Sequence, residues 1–515
     1  MSQTVPVHPP IDPIAVTVFV VLFGLVTIVG FFAARWRRGD LNQLHEWGLA
    51  GRRFGVAVSW FLIGGDLYTA YTLIAVPAAV FGTGAVGFFA VPYTIIAYPI
   101  MFAIMPRLWS VSQKHGFVTP ADFVQARYGS APLALAIATT GILATMPYIA
   151  LQLVGIQVVI AALGFTGTGF AADIPLIVAF LILAAYTYTS GLRAPAMIAF
   201  VKDAMIYIVI LVAIAAIPLR LGGFAHLFAS AQAHFAAVTP PTGSVILAPK
   251  AYWSYATLAL GSALALFMYP HAITGILSAS RVDVVKRNAV LLPAYSFLLG
   301  LVALLGYAAI VAKVHVTKPS DALPALFAAL FPPWFVGFAF AAIAIGALVP
   351  AAVMSIAAAN LWTRNVYKPY LKPDATDAQE AKMAKLSSLL VKVGALAFII
   401  WVPTQYAINL QLLGGIWMLQ TVPAIVVGLY RRWFHHRALL IGWLAGMAFG
   451  TGLSFSQGVK PTFAFTLGSH TIAPYIGLDA LALNLIIAAA LTPLFDRMGA
   501  LRHADRTLEG DYVAA

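Results

Sequence analysis

Residues 54–81 read FGVAVSWFLIGGDLYTAYTLIAVPAAVF. The stretch is long enough to cross a bilayer, which takes about 20 apolar residues, yet its middle carries Gly64, Gly65 and Asp66. Two adjacent glycines weaken the helix where no water can replace its backbone hydrogen bonds. A carboxyl group at that depth costs at least ~2.5 kcal/mol even on lenient insertion scales. Irregular backbone persists there only where it is buried in protein or lines a cavity. The stretch therefore predicts a broken transmembrane helix whose freed backbone groups line a binding site. The bland alternative is a glycine kink with a structurally paired aspartate.

Composition outside this stretch points the same way. Of 515 residues 62% are hydrophobic and 9% charged, against roughly 25% charged in soluble domains. The mean hydropathy is +0.91. This is an all-α polytopic membrane protein. The net charge of +13 does not indicate a nucleic-acid partner, because the basic residues sit in short loops between apolar stretches, which is a topology signal. With no cysteine there is no disulfide framework, thiolate nucleophile or Cys-based metal site. No Walker A pattern and no zincin-type His/carboxylate motif occurs. An ATP-driven pump and a membrane enzyme are thereby disfavoured, and no cofactor is expected. The expected partners are a small organic anion and membrane lipids.

Apolar stretches predict thirteen spans, near 14–34, 54–81, 86–109, 131–164, 172–190, 195–221, 251–279, 288–314, 333–362, 386–403, 405–430, 438–456 and 475–495. One set of loops holds 23 Lys and Arg, from Arg35, Arg37 and Arg38 through Arg281, Lys286 and Arg287 to Arg506, and the other holds five. The positive-inside rule puts the C-terminus in the cytoplasm of an inner-membrane protein and the N-terminus outside. No basic n-region precedes the first span, so no cleaved signal peptide is expected. The segment HLFASAQAHF in the external loop predicts a short surface helix.

Few ionisable residues fall inside spans, so each is informative. Asp66 lies in the second span, Lys202 and Asp203 in the sixth, and His271 in the seventh. Lys392, near the start of the tenth, is expected to snorkel to the surface. In Phe267-Met268-Tyr269-Pro270-His271 the proline removes a backbone donor, so this span should also be broken. The broken second and seventh spans stand five helices apart, as in a five-plus-five inverted repeat with a transport site near the midplane. That spacing divides the chain into residues 1–53 (an extra helix and loop), 54–221 (first repeat), 222–250 (external loop), 251–430 (second repeat) and 431–515 (two further helices and a tail). His271 reads equally as a core imidazole bonded to a carbonyl. Lys202 and Asp203, adjacent on a helix, point to different faces and need not pair with each other. Desolvation makes a buried lysine a candidate proton carrier, and a hydrated pair at the cytoplasmic mouth is the alternative. Tyr148 and Gln152 share a helix face. They could line the same cavity or bond between helices. The small-residue run around Ser355 and Asn360 fits close helix packing.

The motifs resemble the sodium:solute symporter family. GRRFGVAVSWFLIGGDLYTAYTLIAVPAAVF looks like its signature second span, and YTYTSGLRAPAMIAFVKDAMIYI is similar to its sixth-span element. FMYPHAITG resembles its GQPH element, and PAAVMSIAAANLWTRNVYKPY its ninth-span element. Within the family the chain looks most like bacterial monocarboxylate permeases. The resemblance implies a LeuT-type fold, alternating access and ion-coupled uptake. It also implies a sodium site between the second span and two adjacent ninth-span hydroxyls. Here the first hydroxyl maps to Ser355, but the second position is Ile356, which offers no oxygen to sodium. The sodium site therefore looks incomplete and no metal site is assigned. The expectation is that the Lys202 ammonium, with Asp203, replaces sodium near Ser355 and that protons drive transport, sodium being the alternative coupling ion.

No arginine lies deep in a span, so a substrate carboxylate has half-helix N-termini as its partners, with Gly64 and Gly65 expected to expose N–H groups. Tyr68, Tyr71, Phe267 and Tyr269 would wall a small apolar tail. Such a site suits lactate, pyruvate, propionate or alanine. The alternatives are a sodium-coupled amino-acid or other solute symporter and, from another class, a membrane-embedded solute sensor.

Overall fold

A computed structural model describes residues 11–36, 39–66, 68–165, 170–239, 242–401, 408–468 and 470–513. Arg37 and Arg38, counted for topology, and residues 402–407 at the start of the eleventh predicted span lie outside them. A helix lies at each of the thirteen expected positions. Among the described residues, by length and apolarity alone, eight helices suffice to cross a membrane, or ten if each of two bent pairs is one span. Shorter apolar helices lie at the second and fifth positions, and Asp377–Trp401, at the tenth, is not among these candidate spans.

Local chemistry sets several ends. Asp12 caps the first helix, Pro13–Phe32, through the amides of Ile14 and Ala15, with proline at the first turn. Thr119 and Asp122 form a capping box at the short helix Pro120–Tyr128. Position in the bundle follows surface chemistry. The ninth helix, Pro333–Trp362, rich in Ala and Gly, is central and almost wholly buried, packing against the fourth, first, sixth and tenth. Its small side chains let four neighbours approach closely. The first helix, apolar all round, stays peripheral.

The second span is broken as its glycines foretold. Helix Val56–Gly65 stops, and after an irregular turn a π-helical turn, Tyr71–Ala75, leads into Val76–Thr83. The seventh is Tyr252–Leu266 followed by Pro270–Leu277, bent by 46°. A third break, which the sequence reading did not single out, separates Ile408–Leu419 from Pro423–Tyr430 at 44°. The start of the second span and the end of the seventh are tied together: the Phe54 amide donates to the Ser278 carbonyl (3.1 Å) and the Ser280 amide to the Phe54 carbonyl (2.9 Å).

Several details differ from expectation. Lys392 does not snorkel; it is fully buried and donates to the Ser388 carbonyl one turn back, at 3.3 Å. A two-stranded antiparallel hairpin, Phe465–Leu467 with His470–Ile472, interrupts the all-helical plan before the last span. The expected surface helix is present as Gly223–Ala237. The C-terminal tail lies along the loops: Asp511 pairs with Lys114 (2.6 Å) and His115 (2.7 Å), and Asp505 with Arg127 (2.7 Å).

Candidate functional site

Where the second span unwinds, its carbonyls lose their helical donors and need others. Lys202, on helix Arg193–Arg220, supplies them. Its Nζ donates to the carbonyl oxygens of Gly65 (2.5 Å) and Tyr68 (2.8 Å) and lies 2.9 Å from Asp203 Oδ1. Lys202 and Asp203 therefore do pair, contrary to the helical-face argument, because the long lysine stem folds back to its neighbour's carboxyl. Asp203 Oδ2 accepts from the Tyr295 hydroxyl at 2.7 Å, so the carboxylate is held from both sides. Lys202 and Asp203 are both completely buried. Such an ion pair survives because four oxygen contacts offset the loss of water.

The glycines serve this arrangement by being small. Gly64 and Gly65 close the helix Val56–Gly65, so their N–H groups are spent on its backbone and do not face a ligand. A Cβ on Gly64 would overlap the Tyr295 ring, and one on Gly65 would sit 3.1 Å from Lys202 Nζ. They admit the tyrosine and the ammonium to the backbone. Gln152 closes the break from the fourth span: its Oε1 accepts from the Ala70 amide at 3.1 Å. Tyr68 donates to the Tyr295 carbonyl at 3.2 Å.

Asp66 faces the seventh span instead. Its Oδ2 lies 3.3 Å from His271 Nε2, while Asp66 Oδ1 and His271 Nδ1 are buried with no partner among the described residues. Around them stand Tyr148 and Tyr269, each about 5 Å ring-to-ring from His271. Tyr269 spends its hydroxyl on the Gln411 carbonyl (2.8 Å). The Tyr71 hydroxyl is buried and has no partner among the described residues. Helix Pro270–Leu277 begins at this point, and no side chain caps its first turn. Its N-terminal amides carry partial positive charge beside unsatisfied polar atoms. Phe267 packs against Tyr98 further along the same wall.

The predicted residues thus fall into two neighbouring groups: Lys202 and Asp203 with Gly64, Gly65 and Tyr68, and Asp66 and His271 with Tyr148 and Tyr269. Ser355 joins neither through a hydrogen bond; its hydroxyl donates to the Ala352 carbonyl of its own helix (2.8 Å), and Ile356 beside it is buried. Two tyrosines were missed. Tyr295 supports Asp203, and Tyr93, whose buried hydroxyl has no partner among the described residues, packs edge-on against Tyr71. Each was visible only as a polar ring in an apolar span, and only Tyr295 answers a buried carboxylate, that of Asp203.

The model of the sodium:solute symporter family matches residues 47–450. A protein of Rhizobium johnstonii named monocarboxylate transport permease protein is 55% identical over 493 residues, 96% of this chain and 99% of its own length. The uncharacterized symporter YodF of Bacillus subtilis is 36% identical, covering 93% of each chain. Among solved structures, a Na⁺-coupled sialic acid symporter in its substrate-bound outward-open state superposes with a TM-score of 0.75 at 15% identity, covering 94% of this chain and 98% of that one. At that identity the likeness establishes the fold alone, the LeuT-type architecture that the family resemblance implies.

Proposed function

Since this chain belongs to the sodium:solute symporter family, and is a multi-pass transporter and no enzyme, we propose that it imports short monocarboxylates, such as lactate, pyruvate or propionate, by proton symport across the bacterial inner membrane. The observation that carries the coupling is the Lys202 ammonium seated on the freed carbonyls of Gly65 and Tyr68 beside Asp203. A cation fixed by covalent attachment stands where a dissolved one would bridge the broken span to the scaffold. An ammonium that sheds its proton loses the ion pair and one of its donated bonds. Protonation therefore sets how strongly the second and sixth spans are tied together, and alternating access follows as a two-state equilibrium biased by that tie.

The substrate assignment rests on the uncapped start of Pro270–Leu277, the unpartnered edges of Asp66 and His271, and the aromatic wall of Tyr148 and Tyr269. Helix N-terminal amides receive carboxylates without an arginine. The name of the 55%-identical relative agrees with that chemistry. The loop charges support a cytoplasmic C-terminus, and the positions of the breaks support repeats at 54–221 and 251–430. Sodium coupling is the rival, favoured by the family as a whole.

Uptake of labelled lactate or pyruvate into proteoliposomes tests both parts. An imposed pH gradient without sodium should drive accumulation. Accumulation only with a sodium gradient would assign the ion role to Asp66 or Asp203, and no uptake of any monocarboxylate would overturn the substrate reading.

A further inference from the structure

A second polar concavity shares no lining residue with the transport site and lies on the side of the molecule that carries most of the Lys and Arg. A cleft of about 600 Å³ opens between the third span, Ala90–His115, and the short helix Val282–Leu291, with Tyr512 of the C-terminal tail closing one end. Three cations line it, Arg107, Arg281 and Lys286, against one carboxylate, Asp283. Arg107 is fixed: its Nε donates to the Leu429 carbonyl (3.2 Å) and its guanidinium lies over the rings of Tyr430 (4.7 Å) and Tyr512 (5.3 Å). The side chains of Arg281 and Lys286 are exposed and make no hydrogen bond or ion pair among the described residues. The chain thus holds two uncommitted cations beside an oriented third.

The walls of the cleft continue into apolar surface. On the third span Ile95, Ile96 and Phe102 are exposed, and on the facing side so are Val290, Leu291 and Phe297. In a membrane-spanning helix such residues face acyl chains. Basic groups gathered where two lipid-facing stripes end match the geometry of a phospholipid, with chains along the stripes and phosphate in the cleft.

We propose that this cleft binds the headgroup of an anionic glycerophospholipid, with Arg281 and Lys286 meeting the phosphate and Arg107 set behind them. A zwitterionic headgroup would bring its own cation against the same basic residues and gain less.

Native mass spectrometry of the full-length, detergent-purified protein, titrated with phosphatidylglycerol or with phosphatidylcholine of the same acyl chains, tests this. Phosphatidylglycerol should bind at least ~10-fold more tightly, each basic residue near the surface being worth roughly a fivefold preference. The double substitution Arg281→Gln/Lys286→Gln, at exposed positions that leave melting unchanged, should erase most of that preference. Lys372→Gln/Lys382→Gln, which removes the same charge from another loop, should keep it. Equal binding of the two lipids would overturn the proposal, as would an equal loss in the control pair. Displacement of the lipid by millimolar inorganic phosphate would reassign the cleft to a free anion and overturn the lipid assignment.

Discussion

Lys202 Nζ lies 2.5 Å from the Gly65 carbonyl oxygen, at the C-terminal end of the helix that the second span abandons. The contact joins a side chain on one span to a backbone opening on another, so it exists only while both are in register. Lys202→Ala should abolish accumulation driven by a pH gradient. It also leaves Asp203 buried without its ion pair, and breaking such a pair costs about 3–5 kcal/mol. The double substitution Lys202→Ala/Asp203→Asn removes both charges. It should melt closer to the parent and still fail in pH-driven uptake. Normal pH-driven uptake in that double variant would end the coupling proposal.

Gly64 is held to its identity by Tyr295. Its missing Cβ is the space the ring occupies, and the same ring holds Asp203 through its hydroxyl. Gly64→Ala should therefore lower stability by about 1–3 kcal/mol, the usual effect of overpacking. Combining it with Tyr295→Leu should cost less than the sum of the two single changes, since the clash is shared. Melting in detergent reads both comparisons.

The sequence disclosed the breaks and the odd charges for definite reasons. Glycine pairs, an intramembrane proline and ionisable residues in apolar spans are local signals, and Gly64-Gly65-Asp66 and Pro270-His271 carry all of them. Which groups meet is not local. Asp66 and His271 are 205 positions apart in the chain, and their approach depends on the pairing of two broken helices. The Lys202–Asp203 pair was misjudged because a rule about Cβ directions ignores a side chain long enough to turn back. Tyr295 stayed hidden because a tyrosine in an apolar span is ordinary until a buried carboxylate needs a donor. The Gly64 and Gly65 amides were expected to face a ligand because the exact residue at which the helix ends is the least legible feature of a sequence.

Gln152 should matter for stability more than for affinity. Its Oε1 is the acceptor for the Ala70 amide inside the break. Gln152→Leu leaves that N–H buried and unpaired, a loss of about 1–3 kcal/mol. Gln152→Glu keeps an acceptor at the same place and should preserve more of the amide's bond. Hydrogen exchange at Ala70 should rise in the leucine variant and change less in the glutamate one.

His271→Ala should weaken the substrate without dismantling the ion pair at Lys202, because the two groups share no hydrogen bond. The expected signature is an apparent KM for lactate or pyruvate at least ~10-fold higher, with pH-driven uptake still present at saturating substrate. An unchanged KM would return His271 to the role of a packed core imidazole.

The C-terminal tail gives a pH dependence whose sign follows from its contacts. Asp511 accepts from Lys114 first, then from the Leu508 amide and His115, and these donors hold its carboxyl well below the ordinary aspartate range. Released from the loops, the same carboxyl would titrate near ~3.9. A carboxylate with a depressed pKa in the docked state binds fewer protons there than in the released state. Its contribution is complete above about pH 4 and is lost progressively as the pH falls toward the docked value. The parent should therefore melt above Asp511→Asn at pH 5, and the margin should shrink as the pH falls below 4. A margin that instead grew on acidification would mean that the tail is held by groups other than this carboxylate.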